Sequence, residues 1–129
     1  NINNLKESNT LQIITGQQLG IFGGPLYTFY KIITAIKLSE SYKEKFTNYN
    51  FVPVFWLEGD DHDFNEVSSI NLMNENNEIV TVSYNDGITE EINRGSVGYL
   101  KFNNNFNTVF KLIDETLRQS EFKTNLQFF

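Results

Sequence analysis

Apolar positions open the chain's pattern with Leu11-Gln-Ile-Ile-Thr15, a short β-branched run stopped by glycine, which predicts a short buried strand. From Leu26 to Leu38 only Thr28, Lys31, Thr34 and Lys37 interrupt the apolar residues. That length predicts a helix buried over most of its circumference, with its tail Glu40 to Lys45 turning polar. Pro25 suits the helix start, where its missing N–H is not needed and its φ is already helical. Phe51-Val-Pro-Val-Phe-Trp-Leu57 is continuous rather than alternating, as expected for a strand of a parallel sheet covered on both faces. Pro53 within it points to an edge position or a bulge. Strand, long helix and strand make a βαβ unit.

The period then changes. Ile70 and Leu72, and later Ile79, Val80, Val82 and Tyr84, flank the polar stretch Asn74–Glu78, which predicts a β-hairpin. Asp86-Gly87 is a further turn, Val97–Phe102 reads as another strand, and Phe106, Val109, Phe110, Ile113 and Leu117 mark one face of an amphipathic helix. The organisation expected is a βαβ region over about 11–68, a hairpin and strand region over about 69–102, and a helix over about 104–119. The fold class is α/β, a parallel sheet with an appended β-hairpin.

At 129 residues this is one domain or part of a larger one. Twelve phenylalanines, six tyrosines and Trp56 are enough to build a core, and Trp56 is expected to fill it. The net charge of −6, with no basic stripe, argues against nucleic acid as a partner. With no cysteine, disulfides and thiolate metal sites are excluded within the chain, which fits a cytoplasmic protein. The longest apolar run, Phe51–Leu57, is too short to span a membrane. The chain starts Asn-Ile-Asn-Asn and ends on Phe128-Phe129, so a piece of a longer protein is expected.

Two unusual stretches follow the two predicted strands: Thr15-Gly-Gln-Gln-Leu-Gly-Ile-Phe-Gly-Gly24, and Glu58-Gly-Asp-Asp-His-Asp63. Parallel strands end on one edge, where open α/β sheets bind ligands, so topology sets both stretches at that edge. Glycines let backbone approach an anion, and N–H groups at a helix start favour negative charge; Gly23 and Gly24 precede Pro25. The spacing is neither a dinucleotide fingerprint nor a P-loop. A tight turn and an anion cradle therefore both remain open. The second stretch gathers carboxylates around His62, the single histidine, a set suited to Mg²⁺ through oxygen or to acid–base work. Asp63 followed by Glu66 also fits a capping box. Lys31, about two turns into the helix, reads as a snorkelling surface lysine rather than a phosphate ligand.

TGQQLGIFGGPLYTFYK with PVFWLEGDDHDFNEV resembles the bacillithiol biosynthesis cysteine-adding family, BshC, whose members carry TGQQ-x-G…GPLYT and PVFW…DHDF stretches at similar separation. LMNENNEIVTV and SVGYLKF are similar to that family's continuation, so the resemblance covers nearly the whole chain, as an N-terminal fragment. It implies an incomplete Rossmann-like core similar to class I aminoacyl-tRNA synthetases. It implies a reaction that joins cysteine to glucosaminyl-malate and gives bacillithiol, the last step of that synthesis, with ATP as the activating co-substrate. It also implies a full-length homodimer formed through a coiled coil absent here.

Position by position, Gly16, Gln17, Gln18 and Gly20, closed by Gly24-Pro25-Leu26-Tyr27, match the first motif. Trp56, Asp60, Asp61, His62, Asp63 and Glu66 match the second, with Asp60 standing where glutamate is frequent. On the roles this suggests, Gln17, Gln18 and the backbone of Gly16, Gly20, Gly23 and Gly24, with Asp60, hold phosphates or a substrate carboxylate. His62 stabilises charge at the amide-forming centre, while Asp61 and Asp63 orient it or hold Mg²⁺. Two other readings stand beside this one: an adenylating, nucleotidyl-transferase-like domain on the same fold, and a truncated binding module without turnover. A βαβ unit without neighbouring strands is also expected to associate through its open edge.

Overall fold

The computed structural model describes residues 2–88, 94–121 and 123; Phe128-Phe129 lie outside them. The chain divides into two compact units, Asn1–Gln18 with Leu26–Glu58, and Leu19–Pro25 with Gly59–Phe129.

In the first unit, strand β1 (Thr10–Gln18) pairs in parallel with β2 (Asn50–Glu58), and helix α1 (Tyr27–Lys45) connects them and packs on both. This is the expected βαβ unit. The register runs from Thr10 opposite Asn50 to Gln18 opposite Glu58, so the two strands end level. Small residues make the helix–sheet seam: Thr28, Ala35 and Ser39 are the buried residues of α1, and Ser39 Oγ donates to the Ala35 carbonyl at 2.8 Å. Phe51 anchors the other end of the seam against Tyr42 and Phe46, at ring-centroid distances of 5.5 and 6.2 Å.

Three expectations change here. Strand β1 runs to Gln18 instead of stopping at Thr15, because Gly16, Gln17 and Gln18 continue the ladder opposite Trp56, Leu57 and Glu58. Helix α1 is not buried around most of its circumference: Leu26, Tyr30, Phe29 and Ile33 are each more than half exposed. Among the described residues a two-stranded sheet covers only one stripe of a helix this apolar. Strand β2 is likewise covered on both faces only at its start. Phe51 and Val52 point to opposite faces and both are buried, whereas Trp56 is 64% exposed rather than core. Pro53 sits on a strand whose partner among the described residues is β1 alone, the edge position its missing donor requires.

In the second unit, the hairpin of β3 (Ser69–Met73) and β4 (Ile79–Ser83) is antiparallel, as the alternation predicts. Asn74 closes its turn, its Oδ1 accepting from the N–H groups of Asn76 and Glu78 at 2.9 Å each. Asn77 takes the left-handed conformation there, φ 63°, which asparagine tolerates. Helix α3 (Phe106–Thr116) packs on both strands. Ile21, Val82, Tyr84 and Val109 form the core, with Phe64, Ile70, Leu72, Phe106 and Ile113 packed against it. The expected strand over Val97–Phe102 is absent. Val97–Tyr99 is a 3-10 turn, and the N–H groups of Val97 and Gly98 pair with the acidic stretch instead of a ladder. Among the described residues no helix is long and apolar enough to cross a membrane.

Candidate functional site

The glycine-rich stretch is divided between the units. Its first part, Gly16-Gln17-Gln18, is the last turn of pleat in β1, level with Trp56-Leu57-Glu58. Gly16 is required by close approach: a Cβ there would stand 2.7 Å from the Trp56 carbonyl oxygen, a backbone atom that cannot swing away. The exposed Trp56 indole donates from Nε1 to Glu58 Oε2 at 3.1 Å, so a donor, a carboxylate and an aromatic face share this strand end. Gln17 and Gln18 are half-buried; Gln17 Nε2 lies 3.4 Å from Gln18 Oε1.

Lys31 also belongs to this edge, which the sequence reading missed. Instead of snorkelling to solvent it donates to the Gly16 carbonyl and to Gln17 Oε1, each at 2.9 Å. The available signal was a lone charge in the first turns of an otherwise apolar helix, following a strand that ends in amides.

The second part, Leu19–Pro25, builds the other unit. Ile21 is in its core, and Phe22 stacks on Phe106 at 5.8 Å and meets Phe110 edge-on at 5.6 Å. Phe22 holds φ 54°, a strained region for a bulky residue that its aromatic contacts help to fix. Gly20 lies so close to Gly24 that a Cβ would come 2.9 Å from the Gly24 Cα. The N–H groups of Gly23 and Gly24 donate to the Gly20 and Ile21 carbonyls at 3.2 and 3.1 Å, so both are engaged within the loop. Leu19–Phe22 also line a cavity of about 320 Å³ with Phe64, Val97 and Phe102. Its walls are chiefly apolar and include none of Asp60–Asp63, a lining that does not suit charged substrates.

The acidic stretch is organised on its own backbone. Asp61 Oδ1 accepts from the N–H groups of His62 at 2.6 Å and Asp63 at 3.1 Å. Asp63 caps the short helix α2 (Phe64–Val67), its Oδ1 accepting from Glu66 N–H at 3.0 Å. The capping half of the expected box is therefore present. Its return arm is not, since the Asp63 N–H goes to Asp61. From the other side Val97 N–H donates to the Asp61 carbonyl at 2.8 Å and Gly98 N–H to the Gly59 carbonyl at 2.9 Å, while Ser96 Oγ also donates to the Gly59 carbonyl. A Cβ at Gly98 would stand 3.0 Å from that carbonyl, so the two segments approach closely at this glycine. Arg94, another residue missed, lies 4.0 Å over the Phe64 ring and pairs with Asp86 at 2.7 Å, steadying α2. The result is a fixed backbone that presents Asp60, His62 and Asp63 at the surface.

Chemically, this loop offers an exposed imidazole between carboxylates. Among the described residues no three histidine, aspartate or glutamate side chains are grouped to hold a metal ion. Asp61 and Asp63 each commit Oδ1 to backbone, so a Mg²⁺ ion here would keep most of its shell as water or substrate oxygen, as that ion commonly does.

The model of the family described as "Bacillithiol biosynthesis BshC, N-terminal Rossmann-like domain" matches residues 1–129. The chain belongs to this family. A Rossmann-like domain agrees with the α/β class of the chain. Among its relatives, a protein of Salinibacter ruber named "Putative cysteine ligase BshC" is 41% identical over 122 residues, which is 95% of this chain and 22% of that protein. A protein of the same name from Flavobacterium johnsoniae is 40% identical over 123 residues, 90% of this chain and 23% of its own length. Another from Chlorobaculum tepidum reaches 54% identity over 68 residues, 53% of this chain and 12% of its own. The chain thus spans less than a quarter of the BshC relatives it matches.

Proposed function

We propose that this chain is part of a cytoplasmic enzyme that joins cysteine to glucosaminyl-malate and so completes bacillithiol. The observation that carries the reading is the family match along the whole chain, with both family motifs at the ends of paired parallel strands. Amide formation from a free carboxylate needs activation, and in this reading ATP supplies it.

In this reading Gln17 and Gln18 hold an anionic group of substrate through their amide N–H donors. Gly16 lets the backbone at that strand end approach closely, and Asp60 takes a polar contact of its own. His62, exposed on its fixed backbone, stabilises charge where the amide forms. Asp61 sets the backbone that carries it, and Asp63 anchors the helix behind. When bound, Mg²⁺ would offset phosphate charge, and Asp61 and Asp63 are the residues that would hold it.

The test incubates the full-length protein carrying this chain with cysteine, glucosaminyl-malate and ATP, and detects bacillithiol by mass. Product from the wild type, with a loss on the order of 100-fold in rate for His62→Ala, is expected. ATP cleavage tied to one acid without product would replace the reading by an adenylating domain. Absence of both turnover and ligand binding would leave a module without catalysis.

A further inference from the structure

Lys31 differs from the other paired cations of this chain. Lys37, Arg94 and Lys123 pair with the carboxylates of Glu40, Asp86 and Asp114, whereas Lys31 is in no ion pair among the described residues. Its ammonium lies 5.0 Å from the Tyr27 ring centroid and donates to two neutral oxygens, the Gly16 carbonyl and Gln17 Oε1. Tyr27, Gly16, Gln17 and Lys31 all belong to one unit.

An ammonium has three protons and accepts nothing, so the Gln17 atom facing it must be the amide oxygen. A glutamine in solvent can present either end of its amide. Here the NH₂ end is turned away from the cation, and Gln17 Nε2 reaches Gln18 Oε1 at 3.4 Å, a long contact that biases the second amide weakly. Neither of these two oxygens carries a charge to offset the ammonium, which stands at the end of β1.

We propose that Lys31 is the positioning residue of this edge: it locks the Gln17 amide with its NH₂ end outward and adds the charge that favours an anionic oxygen beside it. The proposal rests on the reading that Gln17 and Gln18 hold an anionic group of substrate. That group is an oxyanion, either a carboxylate of the sugar acid or a phosphate of the nucleotide.

Steady-state bacillithiol formation by the full-length protein, with glucosaminyl-malate and ATP varied in turn, tests it and separates the two sources. Lys31→Met is expected to raise KM for one of the two by about tenfold while kcat changes little, the measure of a lost charged hydrogen bond in binding. Lys31→Arg, which can still reach two acceptors, restores KM to within about threefold. Because Lys31 acts through Gln17, the double variant Gln17→Ala/Lys31→Met is no worse than the poorer single variant. Melting temperatures accompany each kinetic set, and Lys31→Gln replaces the methionine variant if that one does not fold. Unchanged KM in Lys31→Met beside a raised KM in Gln17→Ala overturns the role of Lys31 alone, as do additive losses. A wild type that forms no bacillithiol, or unchanged KM values in both Gln17→Ala and Gln18→Ala, overturns the underlying reading and this proposal with it.

Discussion

Gly16-Gln17-Gln18 and Gly20–Gly24 are neighbours in one glycine-rich stretch, yet they perform opposite tasks. The first group extends a strand, brings two amides level with Leu57 and Glu58, and binds the Lys31 ammonium. The second turns inward, consumes its own N–H groups at Gly23 and Gly24, and places Ile21 and Phe22 among aromatic side chains. Glycine serves both, for different reasons: strand-to-strand contact at Gly16, closure of the loop on itself at Gly20. Glycine content alone therefore does not mark a binding loop. What distinguishes the halves is where their donors go.

That contrast makes stability and binding separable. Ile21→Ala should have the largest effect, a loss of about 2–4 kcal/mol of folding stability by denaturant unfolding of the full-length protein, since the side chain is 6% exposed in the core. Substrate affinity of the folded fraction should stay unchanged, and an affinity loss at full stability would erase the division. Next comes Gly20→Ala, whose new methyl meets the Gly24 backbone and should cost about 1–3 kcal/mol, read as a lower melting temperature. A neutral result would mean the loop opens without penalty. Asp63→Ala removes the cap of α2 and should cost about 1 kcal/mol by the same measurement, with the loop ahead of it loosened in hydrogen exchange at His62. The smallest expected change has the opposite sign. Thr28 Oγ1 is buried without a hydrogen-bond partner among the described residues, because in the first turn its i−4 residue, Gly24, lies ahead of the helix. Ser39 on the same stripe does find an i−4 carbonyl. Thr28→Val should thus be neutral or stabilise by up to about 1 kcal/mol, and a clear destabilisation would reveal a partner for that hydroxyl.

Much of the fold was legible because it rests on local pattern: the βαβ unit, the hairpin with its Asn74 turn, and helix α3 all follow from periodicity and turn chemistry. The departures at β1, Val97–Tyr99 and Lys31 share one cause, which is pairing with residues distant in sequence, whereas the exposed faces of α1 and β2 follow from how little the two-stranded sheet covers. Glycine and two glutamines carry little strand preference, yet β1 continues through them because Trp56–Glu58 lie alongside. Val97 and Tyr99 are strand-like residues, but the N–H groups of Val97 and Gly98 find the carbonyls of Asp61 and Gly59 and the segment becomes a clamp. Lys31 was invisible as a site residue for the same reason, its acceptors lying 14 and 15 positions back along the chain. The motif residues Gly16–Gln18 and Asp60–Asp63 were recognisable from family resemblance, whereas the residues that hold them needed coordinates.

Calorimetric titrations of glucosaminyl-malate and of ATP into the full-length Gln17→Ala protein, with its melting temperature taken on the same sample, test the central division most directly. Affinity for one of the two is expected to fall about tenfold at an unchanged melting temperature, because Gln17 presents donors to the ligand and anchors no core. Wild-type affinity for both, or a loss that follows a fall in melting temperature, would contradict it.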